Sequence, residues 1–454
     1  MENKRGFASR FGFIMSMAGF CIGVGNIWRF PYLVGNNGGG AFLLVYILLL
    51  LFAGIPMFLI EVTMGRSSQL SPILGMRKLE GKKKTKWSII GYIEAIAIFI
   101  IVSYVLMIVG GWTCGYIVKL ATGSLQGLDS AQISAAFDSH AGSYSCIFWS
   151  AVAAILMWFC LNSGIKKGVE KICSILLPIL FVIMIGLAIY SNTIPGAKEG
   201  LLWYITPDLS KITFGTISAA ITQVFFSLGV GMCCSFVYGS YNSKNVDLGQ
   251  SIVISALMDT SVALLSGLVY IPALFAFGIE PTTGPSLLFI TLPELFNNMG
   301  TLGNIFGILF LVCVFFAGFT SIIGGSESLI ATITDGSNWS RKKACTVVTI
   351  AEFIFCLIFI FSFRNGFLGS IKILGMGLFD FADFISSGIG LTISAVLMLA
   401  YVIFRWKFEK FMEEANEGSS SRLRVYRWMK PYFYYVLPLV LLLACYCIIR
   451  TYIG

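Results

Sequence analysis

The sequence predicts an all-α polytopic membrane protein with eleven transmembrane helices. The chain has 454 residues, of which 57 % are hydrophobic and only 12 % are charged, and a soluble domain of this size cannot bury so much apolar surface. Apolar runs of roughly 20 residues recur along the chain, and this is the length that a helix needs to cross a bilayer. The runs do not alternate polar and apolar residues, as the strands of a membrane barrel would.

The spans follow one another with short connections along the whole chain, and we expect one transmembrane domain over residues 1–454. The predicted spans are 10–36, 39–65, 87–121, 146–162, 169–190, 214–242, 246–278, 303–334, 342–362, 373–405 and 431–453. Several exceed the length that crossing requires, so tilt, breaks or extensions beyond the lipid are expected. The first run is followed directly by a second and lacks a small-residue cleavage site, so no signal peptide is expected.

The basic residues predict the orientation. Most of the 31 Lys and Arg residues lie in the amino terminus and in alternate loops, including the cluster RKLEGKKKTK at 77–86. By the positive-inside rule these segments face the cytoplasm, which places the amino terminus inside and the carboxy terminus outside a plasma (inner) membrane. The net charge of +9 is therefore interpreted as an orientation signal, and no nucleic-acid partner is expected.

Two polar segments outside the spans carry further predictions. His140, the one histidine in the sequence, lies in a segment predicted to be an outer loop, and we expect it at the surface. The segment 408–430 has mixed charge, favours a helix and contains the flexible stretch GSSS. It is predicted to be a cytoplasmic connector, for which a solvated linker and a regulatory element both stay open.

Spans 1 and 6 each contain a cluster of residues that disfavour a helix. These clusters are GFCIGVGNIWRFPY at 19–32 and TQVFFSLGVGMCCSFVYGSY at 222–241. A glycine costs about 1 kcal/mol in a helix interior, and an unpaired backbone group in lipid costs several. Close packing of helices through small residues would explain the glycines, but it does not explain Asn26 and Arg29 beside them. We therefore predict that both helices are broken.

Breaks at matching places in two five-span halves indicate an inverted-repeat transporter. The first repeat is predicted at about 10–190 and the second at about 214–405, and the helix at 431–453 is additional. Each break exposes backbone N–H groups that suit a carboxylate and carbonyl groups that suit Na⁺ or an ammonium group. An amino-acid zwitterion requires both.

Five stretches of the sequence resemble the neurotransmitter:sodium symporters, a family that includes the bacterial leucine transporter. They are GNIWRFPY (25–32), NGGGAF (37–42), IPMFLIEVTMGR (55–66), FFSLGVGM (225–232) and FAGFTS (316–321). The resemblance extends from residue 5 to about residue 405. It implies a leucine-transporter-type fold, sodium-coupled symport by alternating access, and no enzymatic activity.

The resemblance also implies sites for two sodium ions and two gates. The first sodium ion is expected at Cys21, Asn26, Ser227 and Asp259. The second is expected at Gly19, Ile22, Ala317, Thr320 and Ser321. The outer gate is expected to consist of Arg29, Asp383 and Phe226. The inner gate is expected to consist of Arg5, Asp335, Ser240 and Tyr241.

The implied substrate site lies against the two breaks. Its residues are Phe20, Cys21, Gly23, Val24, Gly25, Val102, Tyr104, Leu106, Phe226, Ser227, Gly229, Met232, Ser321, Ile322, Gly324 and Gly325. Three glycines at positions that face the substrate side chain predict a bulky hydrophobic or aromatic amino acid, and Phe20 and Ile322 are expected to refill part of the space that these glycines free. Gly23 stands where monoamine transporters of the family carry an aspartate, so a monoamine substrate is not expected.

Two departures from the family pattern bear on the substrate and on chloride. Relatives carry a substrate-binding tyrosine six residues before the position of Trp112, where this chain has Leu106, and Tyr104 lies on a different helical face. Either span 3 shifts its register or this contact is missing, which leaves an amine or osmolyte open as substrate; a sodium-conducting channel is the other alternative. Asp259 replaces a frequent asparagine and Ala263 replaces the serine of chloride-dependent members, so we expect transport without chloride.

Overall fold

A computed structural model describes residues 6–81, 86–279, 287–299 and 301–453. Over these ranges the chain folds into packed helices, and nine of the described helices are long and apolar enough to cross a membrane. Two further spans are each divided into two shorter helices. Together they give the eleven spans that the sequence predicts.

The spans agree with the predicted segments to within a few residues. They are span 1, Arg10–Cys21 with Gly25–Asn36; span 2, Gly40–Ser68; span 3, Ile89–Ala121; span 4, Tyr144–Asn162; span 5, Ile165–Thr193; span 6, Phe214–Leu228 with Cys234–Ser240; span 7, Leu248–Ala276; span 8, Leu302–Gly336; span 9, Arg341–Ser362; span 10, Leu378–Trp406; and span 11, Arg427–Ile448. Span 10 begins five residues later than predicted because a short turn, closed by the bridge between Ile373 and Met376, precedes it.

The break in span 1 bends the helix axis by 52°. The first helix ends at Cys21, Ile22 is extended at φ −71° and ψ 94°, and a π-helical turn begins at Gly25. The Gln223 side chain of span 6 donates from Nε2 to the Gly25 carbonyl at 3.0 Å. A neighbouring side chain therefore compensates a backbone group at the break, as burial in a membrane protein requires.

The break in span 6 depends on two glycines in left-handed conformations. Gly229 has φ +64° and Gly231 has φ +78°, values that cost glycine little because it has no Cβ atom. The N–H of Gly231 donates to Oε2 of Glu61 in span 2 at 3.0 Å. Both predicted breaks are thus confirmed, and span 2 contributes a carboxyl group that stabilises the second one.

The outer segment that follows span 3 folds back onto that span. A helix at Ser130–Ala141 begins with a capping box, and His140 near its end is only 5 % exposed. The Nε2 atom of His140 lies 3.0 Å from the Gly111 carbonyl oxygen, and burial lowers the pKa of the imidazole. The prediction of a surface histidine was wrong because polar composition gives no sign that this segment packs as a helix.

The segment after span 10 also packs against the spans. Its helix, Phe408–Asn416, buries Phe408, Phe411 and Ala415. The side chain of Arg66, at the end of span 2, is fully buried against this helix. The stretch 408–416 is therefore packed and is not a solvated linker, whereas residues 422–424 and 426–428 are exposed.

Candidate substrate and sodium site

The two breaks meet at one small cavity. The Cys21 thiol of span 1 donates to the Leu228 carbonyl of span 6 across 3.5 Å. The cavity is lined by Phe20, Cys21, Gly23, Val24, Ile98, Ile101, Val102, Val105, Phe226, Met232, Ser321 and Ile322. Its volume of about 20 Å³ is room for about one water molecule. An amino acid can therefore enter only after surrounding side chains move.

Nine of the predicted substrate residues line this cavity, and span 3 supplies three that the sequence analysis missed. The missed residues are Ile98, Ile101 and Val105. With Val102 they form a stripe at helical spacing, since side chains three and four residues apart share one face of a helix. Extending the prediction for Val102 by one turn in each direction would have identified them.

The glycines expected to free space for the substrate instead make room for protein side chains. A Cβ atom built at Gly229 would lie 2.0 Å from Cε1 of Phe20, and one at Gly324 would lie 2.8 Å from the same ring. A Cβ atom at Gly325 would lie 2.6 Å from Val102. In this conformation the predicted free volume is absent, because Phe20 and Val102 occupy it.

The register of span 3 changes at a π-helical stretch, Met107–Cys114. Counting back from Trp112 at α-helical spacing therefore does not identify the side chain that faces the cavity. That side chain is Val105, whereas Leu106 and Tyr104 are buried but are not among the lining residues. Span 3 thus contains a π-helical stretch, and no tyrosine is among the residues that line the described cavity.

Three of the four residues predicted for the first sodium ion are joined by hydrogen bonds, and the fourth, Cys21, lines the cavity. Asp259 is fully buried and accepts hydrogen bonds from Asn26 Nδ2 at 2.7 Å and from the Ser227 hydroxyl at 2.7 Å. Asn26 Nδ2 also donates to the backbone carbonyl of Asp259 at 2.9 Å, and Asn26 Oδ1 accepts from the N–H of Gly23 at 3.2 Å. These are carboxylate, amide, hydroxyl and carbonyl oxygens, which fit a hard cation.

The residues predicted for the second sodium ion lie where span 1 meets span 8. The Thr320 hydroxyl donates to the Ala317 carbonyl at 3.0 Å. A Cβ atom at Gly19 would lie 3.5 Å from Cβ of Thr320, and one at Gly23 would lie 3.0 Å from Oγ of Ser321. Gly19 and Gly23 of span 1 thus lie close to Thr320 and Ser321, whose hydroxyl groups suit a hard cation.

Of the predicted outer-gate residues, Phe226 lines the cavity. The Arg29 guanidinium carbon lies 5.0 Å from the centre of the Phe226 ring, close enough for a cation–π contact. Asp383 Oδ1 accepts a hydrogen bond from the Tyr104 hydroxyl at 2.9 Å, and the same hydroxyl lies 2.9 Å from Oγ of Ser387. Tyr104, expected to contact the substrate, instead joins span 3 to span 10.

Three of the predicted inner-gate residues form hydrogen bonds with described residues. Asp335 Oδ2 accepts a hydrogen bond from the N–H of Ser71 at 2.8 Å, and the Tyr241 hydroxyl donates to Oε1 of Glu327 at 2.8 Å. Ser240 bonds to the Val237 carbonyl within its own helix at 2.6 Å. Arg5 lies outside the described residues.

An ion pair that the sequence analysis missed connects to this network. Arg341, at the start of span 9, lies 2.5 Å from Oε2 of Glu327 and donates to the Leu161 carbonyl at 2.8 Å. Glu327 is fully buried in span 8. An ionisable side chain is costly to bury in a membrane, so it usually pairs with another group and has a role. The position of Glu327 within span 8 was therefore a sequence signal for such a pair.

A model of the sodium:neurotransmitter symporter family matches residues 4–133 and 139–453. The chain belongs to this family. It is 34 % identical, over 99 % of its length and 97 % of the relative, to the uncharacterised sodium-dependent transporter YhdH of Bacillus subtilis. It is 25 % identical, over 83 % of its length and 67 % of the relative, to the creatine transporter of Torpedo marmorata.

Among solved structures, the transporter MhsT in complex with L-phenylalanine is 34 % identical in sequence. The alignment covers 98 % of this chain and 100 % of MhsT with a TM-score of 0.88. The leucine-transporter-type fold and membership of a sodium-coupled transporter family are therefore confirmed, and this membrane protein is not an enzyme.

Proposed function

We propose that this family member is a symporter that uses two sodium ions to import a bulky hydrophobic or aromatic amino acid, without a chloride requirement. The observation that carries the proposal is the small, mainly apolar cavity at which both helix breaks meet. The similarity to MhsT, whose structure contains L-phenylalanine, supports the same substrate class. Because the cavity is small as described, the substrate enters a more open conformation.

In this proposal, backbone groups at the two helix breaks bind the carboxylate and the amine of the substrate. The N–H groups of Val24 and Gly25 begin the second half of span 1, where the helix dipole favours a carboxylate. Carbonyls near Cys21, Phe226 and Ser227 accept hydrogen bonds from the amine. Since Val105 offers no hydroxyl, the carboxylate depends on the backbone and on Ser321 to a greater degree than a tyrosine-containing site would.

Asp259 makes chloride unnecessary in this proposal. Its carboxylate provides a fixed negative charge beside the first sodium ion, with Asn26 and Ser227 in direct contact. A chloride ion at the same place would be repelled by that charge, and Ala263, one turn further along the same helix, has no hydroxyl to donate to it. The negative charge that chloride supplies in chloride-dependent members is supplied in this chain by the carboxylate of Asp259.

Alternating access is assigned to the two sets of gate residues. Arg29, Asp383 and Phe226 close the outer side, and Asp335, Ser240 and Tyr241, with Arg5, close the inner side. The basic loops place the amino terminus in the cytoplasm and the carboxy terminus outside. Sodium drives the cycle only to the extent that it binds one conformation more tightly than the other.

Uptake into proteoliposomes tests the proposal. Purified full-length protein is reconstituted with an inward sodium gradient, and labelled L-phenylalanine, L-leucine, glycine and creatine are compared. We expect sodium-dependent uptake of L-phenylalanine or L-leucine that stops when an ionophore collapses the gradient and that persists when gluconate replaces chloride. Uptake of creatine alone would overturn the amino-acid assignment, and sodium flux without solute would indicate a channel.

Replacing Tyr104 by phenylalanine tests the arrangement of the outer gate. The variant removes the hydroxyl that donates to Asp383, and a hydrogen bond to a charged group contributes about 1.5–3 kcal/mol. We expect L-phenylalanine binding in saturating sodium to weaken by about tenfold.

Tyr92→Phe is the matched control for this substitution, because Tyr92 lies on the exposed side of the same span and its hydroxyl accepts from Arg77. Binding as tight in Tyr104→Phe as in Tyr92→Phe would show that the gate does not use this hydroxyl.

A further inference from the structure

A buried carboxyl group in span 3 lacks any hydrogen-bond partner among the described residues. The group belongs to Glu94, which is fully buried, and neither of its carboxyl oxygens has a partner among the described residues. The hydroxyl of Ser394 in span 10, which is also fully buried, has no partner among the described residues either. Buried polar atoms without partners are rare in folded proteins, so each of them requires a physical explanation.

These groups lie around the break in span 6. The Glu61 carboxylate accepts the N–H of Gly231 at 3.0 Å, and a Cβ atom at Gly231 would lie 3.1 Å from Cβ of Ser394. A Cβ atom at Gly390 would lie 3.3 Å from Cβ of Ala97. Glu94 precedes Ala97 by three residues and Ser394 follows Gly390 by four, so both lie one turn away on the same side of this contact. Spans 2, 3, 6 and 10 therefore enclose the three side chains.

The charges in this enclosure are unbalanced if both carboxyl groups are ionised. The Glu61 carboxylate repels that of Glu94, and the buried thiol of Cys233 at the break is near both carboxyl groups. The buried thiols of Cys21 and Cys234 lie near Glu61. None of the salt bridges among the described residues joins Glu61 or Glu94 to a basic side chain. Two like charges without a counter-charge are too costly to bury.

We propose that Glu94, with Glu61 and Ser394, forms a proton-binding site whose occupancy is coupled to the movement of span 6. A proton on Glu94 removes the repulsion and gives the carboxyl group a hydrogen to donate within the enclosure. Glu61 bonds directly to Gly231 at the break, so a change in the break alters the surroundings of both carboxyl groups. Sodium-driven conformational change and proton binding then influence each other reciprocally.

Two variants of Glu94 and one matched control test the site without any substrate. Glu94→Gln preserves the shape of the protonated side chain, and Glu94→Met keeps its length without a charge. Glu352→Gln is the control, because Glu352 is equally buried in span 9 but accepts the Ser326 hydroxyl at 2.9 and 2.8 Å.

The first measurement is thermal unfolding of the purified protein in detergent between pH 6 and pH 9.5. Alkaline pH removes the proton and leaves two like charges, so the midpoints of the wild type and of Glu352→Gln should fall at high pH. Those of both Glu94 variants should fall less. Equal falls in all four proteins would overturn the proposal. A second result would also overturn the proposal: added sodium chloride stabilises the wild type but not the Glu94 variants, and the variants respond to pH as the wild type does. The site would then bind sodium.

The second measurement links the site to transport and rests on the proposed function. Sodium-driven uptake of labelled L-phenylalanine is followed at pH 6.5 and pH 8.5. We expect the rate to differ by about threefold between these values in the wild type and in Glu352→Gln, and to differ little in Glu94→Gln. An identical pH profile in Glu94→Gln and the wild type would overturn the coupling. If L-phenylalanine is not transported at all, the unfolding measurement still decides whether the proton site exists.

Discussion

Replacing Asp259 by asparagine is expected to raise the sodium concentration for half-maximal uptake by about thirtyfold or more. The substitution keeps the size of the side chain but removes the negative charge that lies 2.7 Å from both Asn26 Nδ2 and Ser227 Oγ. Losing one partner of a buried, hydrogen-bonded charge pair costs at least about 2 kcal/mol, which corresponds to that factor. The measurement is the initial rate of labelled L-phenylalanine uptake as a function of sodium concentration.

Ser261→Ala is the control for this prediction. Ser261 lies two residues further along span 7, is exposed, and donates a hydrogen bond to the Leu257 carbonyl of its own helix. We expect its sodium dependence to match that of the wild type. If Asp259→Asn and Ser261→Ala have the same sodium dependence, Asp259 is not a ligand of the first sodium ion.

The sequence predicted those parts of the fold that depend on one-dimensional signals. Apolar length gave the spans, and clustered glycines next to Asn26 and Arg29 gave the break in span 1. Gly229 and Gly231 gave the break in span 6 because left-handed backbone at those positions requires glycine. A polar residue or a glycine is costly within a membrane helix, so a cluster of such residues in an apolar run indicates where the helix is broken.

Predictions that depend on the distance between separate spans were weaker. The sequence indicates that Phe20 refills part of the space beside Gly324, but it does not show how closely the ring approaches that glycine. The π-helical stretch that begins at Met107 changes which residues of span 3 face the cavity, and no single residue type marks it. Tyr104 was therefore assigned to the substrate when its hydroxyl bonds to Asp383.

Charged residues near the ends of the spans were underestimated for a related reason. Arg66 and Glu414 are separated by 348 residues and each resembles an ordinary charged residue near a membrane surface. Only the fold shows that the Arg66 side chain is fully buried and that it donates hydrogen bonds to Glu414 in the helix at Phe408–Asn416. Paired charges distant in sequence have no local pattern, so they appear only after the helices have been packed.

Replacing Arg66 by alanine is expected to lower the free energy of unfolding by about 3–5 kcal/mol, the cost of breaking a buried ion pair. The guanidinium donates to Glu414 Oε1 at 2.9 Å, to the Glu414 carbonyl, and to the carbonyls of Val246 and Glu417 at 2.9 and 3.1 Å. Alanine leaves all of these acceptors without their donor. Arg66→Lys should recover less than half of the loss, because an ammonium group cannot reproduce the planar arrangement of donors.

Lys244→Ala gives the comparison that makes this prediction specific to buried charge. Lys244 also pairs with Glu414, at 2.8 Å, but its side chain is 51 % exposed, and exposed pairs contribute at most about 1 kcal/mol. Unfolding in detergent titrated with dodecyl sulfate should therefore separate the two variants by at least about 2 kcal/mol. Trypsin should also cleave the segment 408–430 faster in Arg66→Ala than in Lys244→Ala, because that segment loses its attachment to span 2. Equal stability and equal cleavage of the two variants would mean that the packed hydrophobic face of the helix, and not Arg66, holds the segment in place.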